Sequence, residues 1–189
     1  MEVIFPHYVN YMEQFEDTRG KRRTLYLNHD GTGEYVWKKD ELIDLTFPQV
    51  LDRMVEEFPD QYAFKYTTLD YTRTYEEFRD DVDTFARALV SMGVKPGSKV
   101  AIWATNVPAW YITFWAATKI GAVLVPMNEQ YLQAECEYAL DMCSTRRAVV
   151  EPCYVELYDA IHAGGRLDQG IIVARSEGGE EAMGYPLFS

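Results

Sequence analysis

A proton-transfer or covalent centre needs histidines, cysteines or carboxylates at workable spacing, and this chain offers few such sets. Its three histidines are His7, His29 and His162. His162 precedes Gly164-Gly165 at the expected end of a helix, where an imidazole favours the helix dipole without any catalytic duty. The three cysteines, Cys136, Cys143 and Cys153, are odd in number and have no CxxC spacing. They predict a reduced, cytoplasmic chain, not a disulfide framework or a zinc site. Cys136 and Cys143 lie seven residues apart, which places both on one helix face as buried thiols. The adjacent carboxylates Glu56-Glu57, Glu76-Glu77 and Asp80-Asp81 diverge around a helix and read as solvated surface. No Ser-His-Asp order, HExxH pair or glycine-lysine phosphate loop occurs. The expectation is no catalytic residue and no metal ligand within these 189 residues.

Two glycine-containing stretches invite a phosphate-loop reading. "NHDGTG" (28–33) has no helix after it to aim backbone N–H groups at phosphate, so it reads as a turn between "TLYL" and "EYVW". In "SEGGEEAMG" (176–184), Glu177, Glu180 and Glu181 would set negative charge beside a phosphate, which argues for a surface loop.

Composition narrows the classes further. Eighteen basic against thirty acidic residues give a net charge of −12. Such a balance excludes sequence-independent nucleic-acid binding and adhesion to anionic membranes, both of which need clustered cations. The 48% hydrophobic content is ample for a buried core in one domain or large subdomain. Residues 100–118 carry no charge and are long enough to span a bilayer. Asn106 and Pro108 interrupt them, however, and they read as strand, turn and buried helix. The opening "MEVIFPHYVNYMEQFED" is acidic and aromatic, unlike a signal peptide.

The elements that would position a site follow from periodicity. A helix is expected over 46–58, with Thr46 and Gln49 at capping-box spacing and Val50, Leu51, Met54, Val55 and Phe58 in one stripe. "YAFKYTTLDYTRTY" (62–75) alternates as two strands around Leu69-Asp70. Thr74 and Glu77 then open a helix lined by Phe78, Val82, Phe85 and Leu89, closed by Gly93. From Lys99, apolar strands near 100–104, 122–126, 147–150 and 170–174 alternate with helices near 108–120, 131–143 and 152–163. This alternation predicts parallel strands joined by right-handed crossovers. Ligands would then meet the strand ends "TNVP", "MNEQ", "EPCY" and "RSEGG". The expected fold class is α/β, a mostly parallel sheet with flanking helices, preceded by a small β-hairpin and helix region. The tail after Ala174 shows no convincing element.

In "TYEEF" (74–78), "GVKPGSKVAIW" (93–103) and "KIGAVLVPMN" (119–128), the chain resembles the N-terminal part of the adenylate-forming (AMP-binding) acyl-CoA ligase superfamily. Phe78 stands where the first motif has leucine, and the similarity runs from about Thr46 to Ala174. The wording of "AIWATN" and "TKIGAVLV" is similar to the fatty-acyl-CoA branch more than to nonribosomal adenylation domains. The resemblance implies a division into an extension, residues 1–45, carrying the hairpin, and an α/β subdomain, residues 46–189, that stops before the family's phosphate loop.

The implied activity of the intact enzyme is carboxylate, ATP and CoA to acyl-CoA, AMP and pyrophosphate, with ATP, CoA and Mg²⁺ required and a fatty acid as the carboxylate. The chain alone is expected to be inactive, lacking the C-terminal part that would complete the site, and to self-associate through surface left uncovered. By the same resemblance, the loop Asn128, Glu129 and Gln130 lies near the adenine end of coenzyme A, although Glu129 departs from the glycine usual there. The alternative reading is a free-standing α/β binding module built on the same scaffold. His7 and His29 acquire no role from the resemblance.

Overall fold

The computed structural model describes residues 11–16, 22–27, 44–66, 71–173 and 187–188. The chain divides into two compact units, residues 1–65 with 72–79 and residues 66–71 with 80–189.

In the first unit, β1 (Tyr11–Glu16) and β2 (Arg22–Leu27) form an antiparallel ladder from Tyr11↔Leu27 to Glu16↔Arg22. The strand expected to open a hairpin at Thr24 is therefore extended, but its partner precedes it in the chain. The expected turn at 28–33 and second strand lie outside the described residues. Helix α1 (Phe47–Glu57) starts where its cap predicts, with the Thr46 N–H donating to Gln49 Oε1 at 2.8 Å. Leu51, Val55 and Phe58 are its buried stripe. β3 (Tyr62–Tyr66) and β4 (Tyr71–Thr74) form the second two-stranded sheet, and the turn expected between them lies outside the described residues. Phe64 packs on Phe78 with ring centroids 4.6 Å apart.

Helix α2 (Tyr75–Ser91) is opened by a reciprocal capping box. The Thr74 N–H donates to Glu77 Oε2 at 3.0 Å, and the Glu77 N–H donates to Thr74 Oγ1 at 3.2 Å. Phe78, Val82, Phe85 and Leu89 are all buried, as their spacing requires.

The second unit carries the parallel sheet. Its strands are β5 (Lys99–Trp103), β6 (Val123–Pro126), β7 (Arg147–Val150), β8 (Gln169–Val173) and β9 (Leu187–Phe188). They lie in the order β6-β5-β7-β8-β9, with every pair parallel. The two-residue β9 corrects the reading of the tail as structureless. So short a strand has no periodicity of its own and exists only by pairing with β8. The crossovers are α3 (Pro108–Lys119), α4 (Gln133–Cys143) and, after a 3-10 turn at Pro152–Tyr154, α5 (Val155–Ala163). Among the described residues no helix is long and apolar enough to cross a membrane.

Local chemistry explains the joints. Gly121 closes α3 at φ +73, and its carbonyl accepts the Gly97 N–H at 2.7 Å, which ties the "KPG" turn to the entrance of β6. α4 begins at Gln133, two residues later than expected, because the Leu132 N–H is held by Glu135 Oε2 at 2.8 Å. It ends on Ser144 in the left-handed region, with the Thr145 N–H returning to Leu140 O at 2.9 Å. Of the two thiols placed on its inner face, Cys136 is fully buried but Cys143, at the last turn, is half-buried. Ala101, Trp103, Met127, Cys136, Leu140 and Tyr158 belong to one buried cluster.

Candidate functional site

The carboxyl ends of β5, β6 and β7 form one edge, and side chains from all three loops meet there. The ladder continues past the strands: the Glu151 N–H donates to Trp103 O at 2.9 Å and the Met127 N–H to Ile102 O at 2.9 Å. Glu151 is 3% exposed, a buried carboxylate that must be compensated. Its Oε2 accepts the Thr105 N–H at 2.7 Å and the Thr105 hydroxyl at 2.8 Å. This clamp holds the β5–α3 loop against β7.

Behind the clamp, Trp103 stacks on Tyr154 with centroids 5.1 Å apart and planes 12° from parallel. Trp103 is 2% exposed, and its Nε1–H has no acceptor among the described residues. The Tyr154 phenol is pushed up to about 12, first by burial and then by the fields of Cys153, Glu129 and Glu151.

The sequence-predicted residues Asn128, Glu129 and Gln130 all lie exposed in the turn after β6. Asn128 organises that turn, accepting the Gln130 N–H on Oδ1 at 2.9 Å and the Tyr131 N–H on its carbonyl at 3.2 Å. Cys136 sits beneath it, its thiol pushed up to about 11 by burial and then by Glu135 and Glu137. The structure thus brings Glu129 close enough to Tyr154 for its charge to act on the phenol. Sequence reasoning singled out "EPCY" as a strand end but missed the Glu151–Thr105 clamp and the Trp103–Tyr154 stack.

The other candidates resolve structurally. The His162 Nδ1 lies 2.6 Å from Leu167 O at the end of α5. His7, His29 and the "SEGGEEAMG" segment lie outside the described residues. The adjacent carboxylates correct the expectation of uniform solvation. Glu56, Glu76 and Asp80 are exposed, but Glu57 accepts Arg53 Nε at 3.0 Å with its side chain 5% exposed. Glu77 caps α2, and Asp81 accepts the Tyr71 hydroxyl at 2.9 Å. Neighbours on a helix point about 100° apart, so one member turns outward and the other inward. Among the described residues no three His, Cys, Asp or Glu side chains converge as a metal site would require.

A parallel sheet flanked by helices is an α/β fold whose carboxyl edge is the usual place for a ligand. The family profile described as AMP-binding enzyme matches residues 51–184, and the chain belongs to that family. The mitochondrial medium-chain acyl-CoA ligase of Danio rerio is 34% identical over 95 residues, 50% of this chain and 16% of its own length. A methyl-dioxo-octahydroindenyl propanoyl:CoA ligase of Mycobacterium tuberculosis is 38% identical over 96 residues, 51% of this chain and 18% of its own length. The anthranilate CoA ligase AuaEII, solved with anthranoyl-AMP, superposes at a TM-score of 0.68 and 21% identity, covering 81% of this chain and 29% of its own. The chain thus spans about a fifth of the length of the curated relatives it matches.

Proposed function

We propose that this chain is the N-terminal scaffold of an ATP-dependent acyl-CoA ligase acting on a fatty or medium-chain carboxylate. The family match over residues 51–184 carries the reading. The medium-chain ligase among the relatives favours the acyl class. In the reaction so proposed, a carboxylate oxygen attacks the α-phosphorus of ATP and pyrophosphate leaves. The CoA sulfur then attacks the acyl-AMP carbonyl and AMP leaves. Magnesium, arriving with the triphosphate, neutralises part of its charge.

The residues described here supply position, not chemistry. The Glu151–Thr105 clamp and the Asn128 turn fix the two loops that would form one wall of the site. Adenylation also needs donors and a cation where charge develops on the α-phosphate. The loops after β5, β6 and β7 contain no Lys or Arg to meet that need. Residues 1–189 alone are therefore expected to be inactive.

The test is carboxylate-dependent exchange of labelled pyrophosphate into ATP, run on residues 1–189 and on the chain extended by its native downstream sequence. Exchange with medium- or long-chain acids in the extended chain only is the expected result. Exchange in the short chain overturns the scaffold reading, and silence in both across chain lengths overturns the ligase reading.

A further inference from the structure

Among the described residues β6 is an edge strand, with β5 on one side and no strand on the other. Its ladder gives each backbone group a direction. The Val123 N–H donates to Ser98 O at 2.8 Å and the Met127 N–H to Ile102 O at 2.9 Å. Successive residues of a strand alternate, so Val123, Val125 and Met127 turn their N–H groups to β5, while Leu124 and Pro126 face away. Pro126 has no N–H, and the Ala122 N–H is taken by Ala117 O at 2.8 Å. Leu124 therefore holds the one N–H that β6 turns outward, with its own carbonyl beside it.

The surface along that edge is apolar in the middle and charged at the ends. Val123 is 49% exposed. Val125, on the same side of the strand, packs against the cluster that contains Cys136 and Leu140, so α4 covers this face. Arg166, in the turn before β8, draws Glu137 and Asp141 to one flank of α4. β6 lies on the other side of β5 and β7 from β8, so the opposite flank, with exposed Glu135 and Met142, overlooks β6. At the amino end of the strand, the Gly97 N–H donates to Gly121 O at 2.7 Å and holds the turn carrying Lys95 beside β6. Lys95 and Lys99 are exposed, and neither joins an ion pair among the described residues. Lys119 nearby is already neutralised by Asp83. Glu129 and Glu135, both exposed, stand at the carboxyl end.

We propose that this edge is an interface for a second copy of the chain, the two β6 strands pairing antiparallel about a two-fold axis at Leu124. The two Leu124 residues then exchange both N–H···O=C bonds, and Val123 of each copy faces Val125 of the other. The Lys95 end of each copy meets the Glu129 end of the other, whereas parallel strands would set like charges side by side. Two backbone bonds and a narrow apolar strip make a weak interface, with a Kd of about 0.1–1 mM. Because the contact is isologous, it closes at the dimer. The proposal is independent of the ligase reading.

Sedimentation equilibrium of residues 1–189, at up to about 1 mM protein in about 100 mM salt, is expected to show monomer and dimer. Lys95→Glu and Glu129→Lys should each weaken the dimer about three- to tenfold, and the double reversal should restore it to within about twofold. The double reversal keeps the net charge at −12, so rescue reports the pairing and not the overall repulsion. With Cys143 and Cys153 replaced by serine, Leu124→Cys should oxidise to a linked dimer, since Cα atoms at such a pair lie about 5.5 Å apart, within bridging distance. Val90→Cys, on α2 and 54% exposed, is the collision control. A monomer at about 1 mM overturns the proposal. So does a double reversal no tighter than the single ones, or Val90→Cys linking as fast as Leu124→Cys. A dimer that neither reversal weakens overturns it too, and puts the contact on another face.

Discussion

Gly170 on β8 should be among the least replaceable residues of the second unit. A Cβ built there lies 2.4 Å from Tyr158 Cζ and 2.6 Å from both Cε2 and the phenol oxygen. Carbon atoms in contact settle at about 3.5–4.0 Å, so the ring must withdraw by about 1 Å. It has no room to do so. Tyr158 is 1% exposed, shares its cluster with Leu140, Ile161 and Leu167, and lies face to face with His162 at 5.7 Å. Overpacking of this kind costs about 1–3 kcal/mol, while alanine in a strand regains about 0.5–1 kcal/mol of backbone entropy relative to glycine. The net expectation for Gly170→Ala is about 1–2 kcal/mol of lost stability, since the ring has nowhere to turn.

Equilibrium urea denaturation followed by far-ultraviolet circular dichroism measures it, provided the slope of the transition is unchanged. The cause is isolated by a double-mutant cycle with Tyr158→Leu, which removes the ring atoms the new methyl would strike. In that background Gly170→Ala should be neutral or slightly stabilising, and Tyr158→Phe should give no such relief because Cζ and Cε2 remain. Gly97→Ala serves as a contrast, because its φ is +78 but nothing lies within 4 Å of a Cβ there. Its loss is purely conformational, about 1 kcal/mol. If Gly170→Ala is as stable as wild type, or loses as much with Tyr158→Leu as without, the steric reasoning is wrong.

Glu151→Gln should lower stability by about 1–3 kcal/mol in the same assay, because the half-buried Thr105 N–H and hydroxyl lose a charged acceptor; Thr105→Ala should lose less, since it removes only one of the two bonds. A thiol reagent at about pH 8 should label exposed Cys153 first and Cys136 only after denaturation, because burial and a pKa of about 11 keep that thiol protonated; labelling of Cys136 in the native chain at the rate of Cys153 would contradict this. The Tyr154 phenol, raised in the folded state to about 12, contributes stability that is complete below the unfolded value near 10 and lost as pH rises through 12. Difference absorbance of Tyr154→Phe against wild type should show the missing phenolate appearing well above pH 10, in the range where Tyr66 is also raised. Leu132, Tyr138 and Met142 are 73%, 67% and 67% exposed, so residues 1–189 should self-associate at high concentration, and Tyr138→Lys with Met142→Lys should shift sedimentation towards monomer.

Much of the fold was readable because its signals are local. The stripes of α1 and α2, both capping boxes and the positive φ of Gly121 each depend on residues within a turn or two. The alternation after Lys99 fixed four strands and their helices because buried parallel strands are continuously apolar. Long-range pairing had no such trace. β2 pairs backwards to β1, where composition pointed forwards across "NHDGTG". β9 is two residues long and is defined only by its neighbour.

The site was less legible for a related reason. Glu151 looks like a surface acid in "VVEPC" until β5 and β7 are known to be adjacent. That adjacency puts it 46 positions from Thr105 and within 2.8 Å of its hydroxyl. The same knowledge decides what a net charge of −12 means. Counted along the chain, the acidic excess is a statement about solubility. Sorted by strand direction, it becomes local: amino-edge cations Lys119, Arg146 and Arg166 are paired with Asp83, Asp168, Glu137 and Asp141, while the loops after β5, β6 and β7 hold Glu129 and Glu151 and no Lys or Arg. Composition cannot make that distinction, because a lysine at the start of a parallel strand and one at its end are the same count on opposite sides of the molecule.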